Sequence, residues 1–187
     1  MEIFRAVPRK GFVADRVHTR YHSSRLPGNV SYLADNVWEL TRPSSLPSRR
    51  HAVYASPTPQ LALEGASADL LTQAEYLPCR VIFNKPVLRI FQLSVRDARF
   101  HRDRRQLQNL ANERLKNVPN LESKRALAPL FPPGVTSAEL SAAMQSDAGL
   151  RALAEDLAAA VTMWSDPPNA NEGEIIFELD NDLTYML

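Results

Sequence analysis

The apolar runs of this chain are short, and several are closed by a proline-bearing turn. "EIFRAV" (Glu2 to Val7) stops at Pro8, "AVYAS" at Ser56-Pro57-Thr58-Pro59, and the β-branched run beginning at Cys79 at Asn84-Lys85-Pro86; the Ala-rich stretch that follows ends at Pro167-Pro168-Asn169. Proline fixes φ and has no N–H to donate, so it closes strands and helix interiors and opens turns or first helical positions. In order the elements read strand, loops, strand, helix, two strands, helices, strand. There is no regular strand–helix alternation of the doubly wound kind, and the expected class is α+β. A chain of 187 residues that is 44% hydrophobic can bury one sizeable core, so a single domain over 1–187 is expected, with a helical insertion at about 100–165.

Within that order, "VSYLADNVWEL" has the period of a helix of about three turns, set in a loop-rich region from Lys10 to Arg50. Thr58 as N-cap with Pro59 at the first helical position starts a helix that the spacing of Leu61, Leu63, Leu70, Leu71 and Ala74 carries to Leu77. "CRVIFNKPVLRIFQLSV" reads as consecutive strands joined by a turn, and "RDARFHRDRRQLQNLANERLKNV" as a charged amphipathic helix. The Ala-rich block from Thr136 to Trp164 is a helical pair broken near Asp147-Ala148-Gly149, and a start at Ser137 lacks the full capping box. "EIIFEL" is a strong strand with Glu174 at its opening.

Composition narrows the chemistry. A formal charge of +1 argues against a general polyanion binder, although arginine outnumbers lysine. The single cysteine, Cys79, excludes an internal disulfide framework and any cysteine cluster for a metal. No metal-ligand spacing, Gly-rich phosphate loop or Gly-x-Ser-x-Gly is present. The opening "MEIFRAVPRKGF" has no apolar leader region, and no run approaches the roughly 20 apolar residues of a membrane span. The expectation is a protein without a membrane segment, cytoplasmic or exported without a cleaved signal peptide.

Three patches remain: Arg5 in the first strand, Ser56-Pro57-Thr58 at a strand-to-helix junction, and Glu172-Gly173-Glu174 before the last strong strand. In this order they resemble the arginine-serine-glutamate branch of the ADP-ribosyltransferase superfamily. The resemblance implies a split β-sheet sandwich with flanking helices that binds NAD in a cleft between two small sheets. Tyr21-His22-Ser23-Ser24 with Tyr54 is similar to the diphtheria-toxin branch, in which His22 would face the cofactor in place of Arg5. That branch has a second stacking tyrosine about where Gly65 stands here, so Trp38 or Tyr32 would have to complete the nicotinamide sandwich. "VYASPTPQLALE", with Glu64, is similar to RES-type NAD-degrading domains, whose Gly-Gly-Arg-Trp-Asn signature is missing.

These residue types suit NAD. An arginine clamps phosphate, an aromatic face stacks on nicotinamide, and a carboxylate stabilises the positive charge that develops on the ribose as the glycosidic bond opens. The resemblance implies Glu174 as the catalytic carboxylate, Glu172 as its partner toward the acceptor if the backbone is already extended, and Ser56 as a brace. Arg5, Tyr54, His22, Arg50 and Trp38 are the expected cofactor contacts. Each also has a plainer role: Ser56-Pro57-Thr58 caps a helix, Tyr54 fills a core, and the glutamates flank a strand start. The implied activity is transfer of ADP-ribose to a macromolecule, a protein before a nucleic acid, by a bacterial toxin or effector that an immunity protein or antitoxin would restrain. The alternatives are an NAD glycohydrolase of related fold and a non-catalytic module that binds a partner through the Arg-rich stretch 96–105.

Overall fold

The computed structural model describes residues 2–19, 25–26, 28–87, 89–179 and 182–187, so Tyr21-His22-Ser23-Ser24 lies outside the described residues. The protein is mixed α/β with small antiparallel sheets. It divides into two compact units, the first made of 1–23, 44–98 and 167–187 and the second of 24–43 and 99–166. The stretch expected as a helical insertion falls in the second unit. Among the described residues no helix is long and apolar enough to cross a membrane.

The first unit is built from three ribbons. Strand β1 (Phe4–Pro8) pairs antiparallel with β3 (Tyr76–Arg80), with Arg5 opposite Cys79. Strand β6 (Ile175–Phe177) lies between β2 (Val53–Ala55) and β5 (Ile90–Gln92), and β4 (Ile82–Phe83) pairs with β7 (Tyr185–Met186). A two-way backbone bridge between Phe4 and Ser56, with both bonds at 2.8 Å, ties β1 to the end of β2. Ile175, Ile176 and Phe177 are fully buried, the expected composition for a strand covered on both faces. Phe177 packs edge-to-face on Phe83 and Tyr185, within a core that also holds Ile3, Val81, Leu179 and Leu183.

Thr58 caps α2 (Pro59–Ala66) by accepting from the Leu61 amide, with Pro59 at the first position, as the sequence predicts. The helix does not continue to Leu77. Ser67 is extended, and Asp69 starts a separate turn, α3 (Leu70–Gln73), by accepting from the amides of Leu71 and Thr72. Leu70 and Leu71 are exposed, so the apolar period that joined the two pieces has no core behind it. The two runs around Asn84-Lys85-Pro86 do form strands, but not a hairpin. β4 goes to β7 and β5 to β6, and Asn84 fastens the turn to the backbone of Asp182 and Thr184.

The second unit contains α1 (Tyr32–Thr41), α4 (Arg102–Lys116), α5 (Leu121–Ala126), α6 (Ser137–Ser146) and α7 (Ala148–Ala159). Asp147 ends α6 and caps α7, at the predicted break. The start of α6 does carry a full capping box, formed by Thr136 and Glu139, one residue earlier than a Ser137 start would place it. Leu33, Val37, Leu107, Leu140, Leu150, Leu157 and Met163 fill the core around Trp38. The carboxylate of Asp103, at zero exposure, accepts four hydrogen bonds: from Trp38 Nε1, Thr162 N, Thr162 Oγ1 and Met163 N, at 2.8–3.0 Å.

Asp103→Ala leaves those buried donors without their acceptor and is expected to lower stability by about 3 kcal/mol or more in urea unfolding. A loss below about 1 kcal/mol would remove Asp103 as the polar anchor of these helices.

Candidate active site

β1, β2 and the entry to β6 carry their polar residues into one cleft of the first unit. Arg5, Tyr54, Ser56, Arg96, Asp97 and Glu174 line it, with Ala62, Gly65 and Ala66 of α2 as a wall of small side chains. The α2 residues stand at i, i+3 and i+4, one helix face. Gly65, at the place where a second stacking tyrosine would stand, has nothing within 4 Å of where a Cβ would lie. The cleft holds about 170 Å³, close to the roughly 150 Å³ cavity that accepts a benzene ring.

Glu174 is placed by its backbone. Its N–H donates to Val95 O at 2.8 Å and its carbonyl accepts from Leu93 N at 2.8 Å, which continues the β5–β6 ladder past the end of the strands. The residue before it, Gly173, is buried, and a Cβ there would lie 2.0 Å from the Leu93 carbonyl oxygen and 2.7 Å from that of Asn169. Only glycine permits so close a backbone approach. The Glu174 side chain is largely buried; its Oε2 accepts from Ala98 N at 3.2 Å and lies 3.5 Å from Arg49 Nη1. Burial pushes its carboxyl up to about 7; Arg49 opposes the shift and the charge of Asp97 adds to it.

Arg49 links this carboxylate to the tyrosine. Its guanidinium carbon lies 5.5 Å from the centre of the Tyr54 ring, and its carbonyl accepts from the Tyr54 hydroxyl at 2.5 Å. Arg5 Nε donates to Tyr54 O at 3.1 Å, and Arg5 Nη1 donates to the Tyr185 hydroxyl. The Tyr185 ring stacks on His18, whose pKa is lowered by burial and by the nearby charges of Arg5 and Arg16.

Four of the residues picked from the sequence, Arg5, Tyr54, Ser56 and Glu174, are therefore brought together. Glu172 is not among the cleft residues. It is exposed in a turn, with its N–H donating to Asn169 Oδ1, so the extended backbone that would turn it toward Glu174's side is missing. Arg50 is buried and is not among the cleft residues; its N–H is held by Ser48 Oγ. Trp38 belongs to the second unit, where its ring is buried and its Nε1–H is given to Asp103. His22 is outside the described residues. Asp97 and Arg96, inside a stretch that reads as a solvated helix face, precede α4 and line the cleft instead. The only trace of this in the sequence is Phe100-His101, a helix start that leaves 96–99 outside.

The chain matches no family model, no curated protein and no solved structure.

Two outcomes follow from this geometry. Gly173→Ala must displace backbone, and a loss of about 2 kcal/mol is expected by thermal melting; an unchanged melting temperature would mean the Leu93–Glu174 register is not fixed here. Glu174 holds its proton more tightly folded than unfolded, so its contribution to stability is complete below its ordinary pKa near 4.5 and is lost as pH rises through about 7. Glu174→Gln should then be more stable than wild type by on the order of 2 kcal/mol at pH 8, and the gap should narrow toward pH 5. Equal stabilities across that range would exclude a buried, proton-retaining Glu174.

Proposed function

We propose that the first unit is an ADP-ribosyltransferase-like domain that binds the nicotinamide end of NAD in this cleft and transfers ADP-ribose to a macromolecular acceptor. The observation that carries the proposal is the convergence of Arg5, Tyr54, Ser56 and Glu174, distant in sequence, on one cleft with room for a single ring. The donor set fits the ligand. Arg5 offers a guanidinium to phosphate or ribose oxygens, exposed Arg96 adds a cation at the rim, and Tyr54 offers an aromatic surface. The small wall of Ala62, Gly65 and Ala66 leaves the ring space open.

Glu174 is the reactive carboxylate. Cleavage of the bond between ribose and nicotinamide builds positive charge on the ribose, and a fixed, largely buried anion stabilises that charge more than bulk solvent would. Only the ionised form can do this. Arg49, beside Glu174 Oε2, favours that form against the burial that disfavours it. Ser56, fixed by its backbone bridge to Phe4, braces the junction between β1 and β2.

Nicotinamide release from NAD by wild type and Glu174→Gln tests this. Turnover is expected to fall at least about 100-fold in the variant, with NAD affinity changed less than about threefold. Wild-type kcat/KM should decline as pH drops below about 7, where Glu174 gains its proton. Label moving from NAD onto a macromolecule in a lysate identifies transfer, and free ADP-ribose alone identifies water as the acceptor. A wild-type protein that neither binds NAD nor releases nicotinamide would overturn the proposal.

A further inference from the structure

Transfer chemistry of this kind needs a second group, one that takes the proton of the attacking nucleophile. The Glu-x-Glu spacing points to Glu172, but that side chain is exposed in a turn away from the cleft lining. A different carboxylate occupies the cleft. Asp97 lines it together with Glu174, and both are partly buried.

The segment that carries Asp97 is pinned to Glu174 on both sides. Val95 O accepts from Glu174 N at 2.8 Å, and Ala98 N donates to Glu174 Oε2 at 3.2 Å. Asp97 lies between these two anchors, so its position relative to Glu174 is set by main chain rather than by a free loop. Its charge is felt at Glu174, where it works against ionisation. Among the described residues, the charged groups that face the pair include Arg5 and Arg96 on the cleft lining and Arg49 beside Glu174.

Resting on the NAD-cleaving role assigned to this cleft, we propose that Asp97, and not Glu172, is the catalytic base that receives the acceptor's proton. In the step, the acceptor X–H attacks C1′ of the ribose and the X–C1′ bond forms. The C1′–N bond to nicotinamide breaks, and its electron pair returns to the ring nitrogen, cancelling the pyridinium charge. The proton of X–H passes to a carboxylate oxygen of Asp97 and from there to solvent. The two carboxylates divide the work by their partners: Glu174, held by Ala98 N and beside Arg49, faces the developing charge, and Asp97, on the same lining, takes the acceptor's proton.

The test uses the whole chain, NAD as substrate and nicotinamide release as the readout, with Asp97→Asn, Asp97→Ala, Glu172→Gln and Glu174→Gln. Asp97→Asn is expected to lower kcat about 100-fold with KM for NAD within about threefold, and Glu172→Gln to stay within about twofold of wild type. Formate should restore part of the activity of Asp97→Ala, as a small carboxylate taking the missing base's place. The acid limb of the residual Asp97→Asn activity should move to lower pH, because a negative neighbour of Glu174 is gone. A purely structural role would give neither rescue nor shift. Loss of activity in Glu172→Gln with full activity in Asp97→Asn would overturn the inference and leave the NAD-cleaving role standing. So would loss in Asp97→Ala that formate does not relieve. A wild type that releases no nicotinamide removes both.

Discussion

Strand β6 has to be buried on both faces and still have every backbone group paired, and the first unit is arranged around that demand. β2 and β5 satisfy its two edges, and the ladder runs on past the strand end through Leu93, Val95 and Glu174. Continuing the ladder brings the chain so close at Gly173 that no side chain fits there. One consequence is chemical. The first residue able to carry a side chain after that contact is Glu174, and it enters the cleft with its backbone already fixed.

The two units bury carboxylates in opposite ways. Asp103 is wholly inside and accepts from four donors on Trp38, Thr162 and Met163, so it holds these segments together. Glu174 has one backbone amide and one arginine, and it borders an open cleft. Burial outweighs these two partners, with the charge of Asp97 adding to it, and so its pKa rises.

Local signals in the sequence were legible where local physics decides. Thr58-Pro59 starts α2 and Asp147 divides α6 from α7, because a cap needs only a side chain and the amides two or three residues on. The stretch 67–77 was misread because Leu70 and Leu71 continue the helical period without any core to face. The turn at Asn84-Lys85-Pro86 was legible and its consequence was not: whether two adjacent strands pair depends on which other edges are offered, and β6 and β7 offered theirs. Glu172 looked equivalent to Glu174 because spacing in a string says nothing about where a turn ends.

By itself the sequence determined the mixed class, the start of α2, the break between α6 and α7, the strand at "IIF", and the four residue types that meet in the cleft. These depend on composition, caps and apolar period, which act over a few residues. The tertiary structure alone decided that Arg49 lies against Glu174, that Asp97 shares the cleft while Glu172 does not, and that Trp38 is used in packing the helices of the second unit. Those outcomes turn on strand pairing and close backbone contact between segments far apart in the chain, and no local pattern encodes which distant edge a strand will meet.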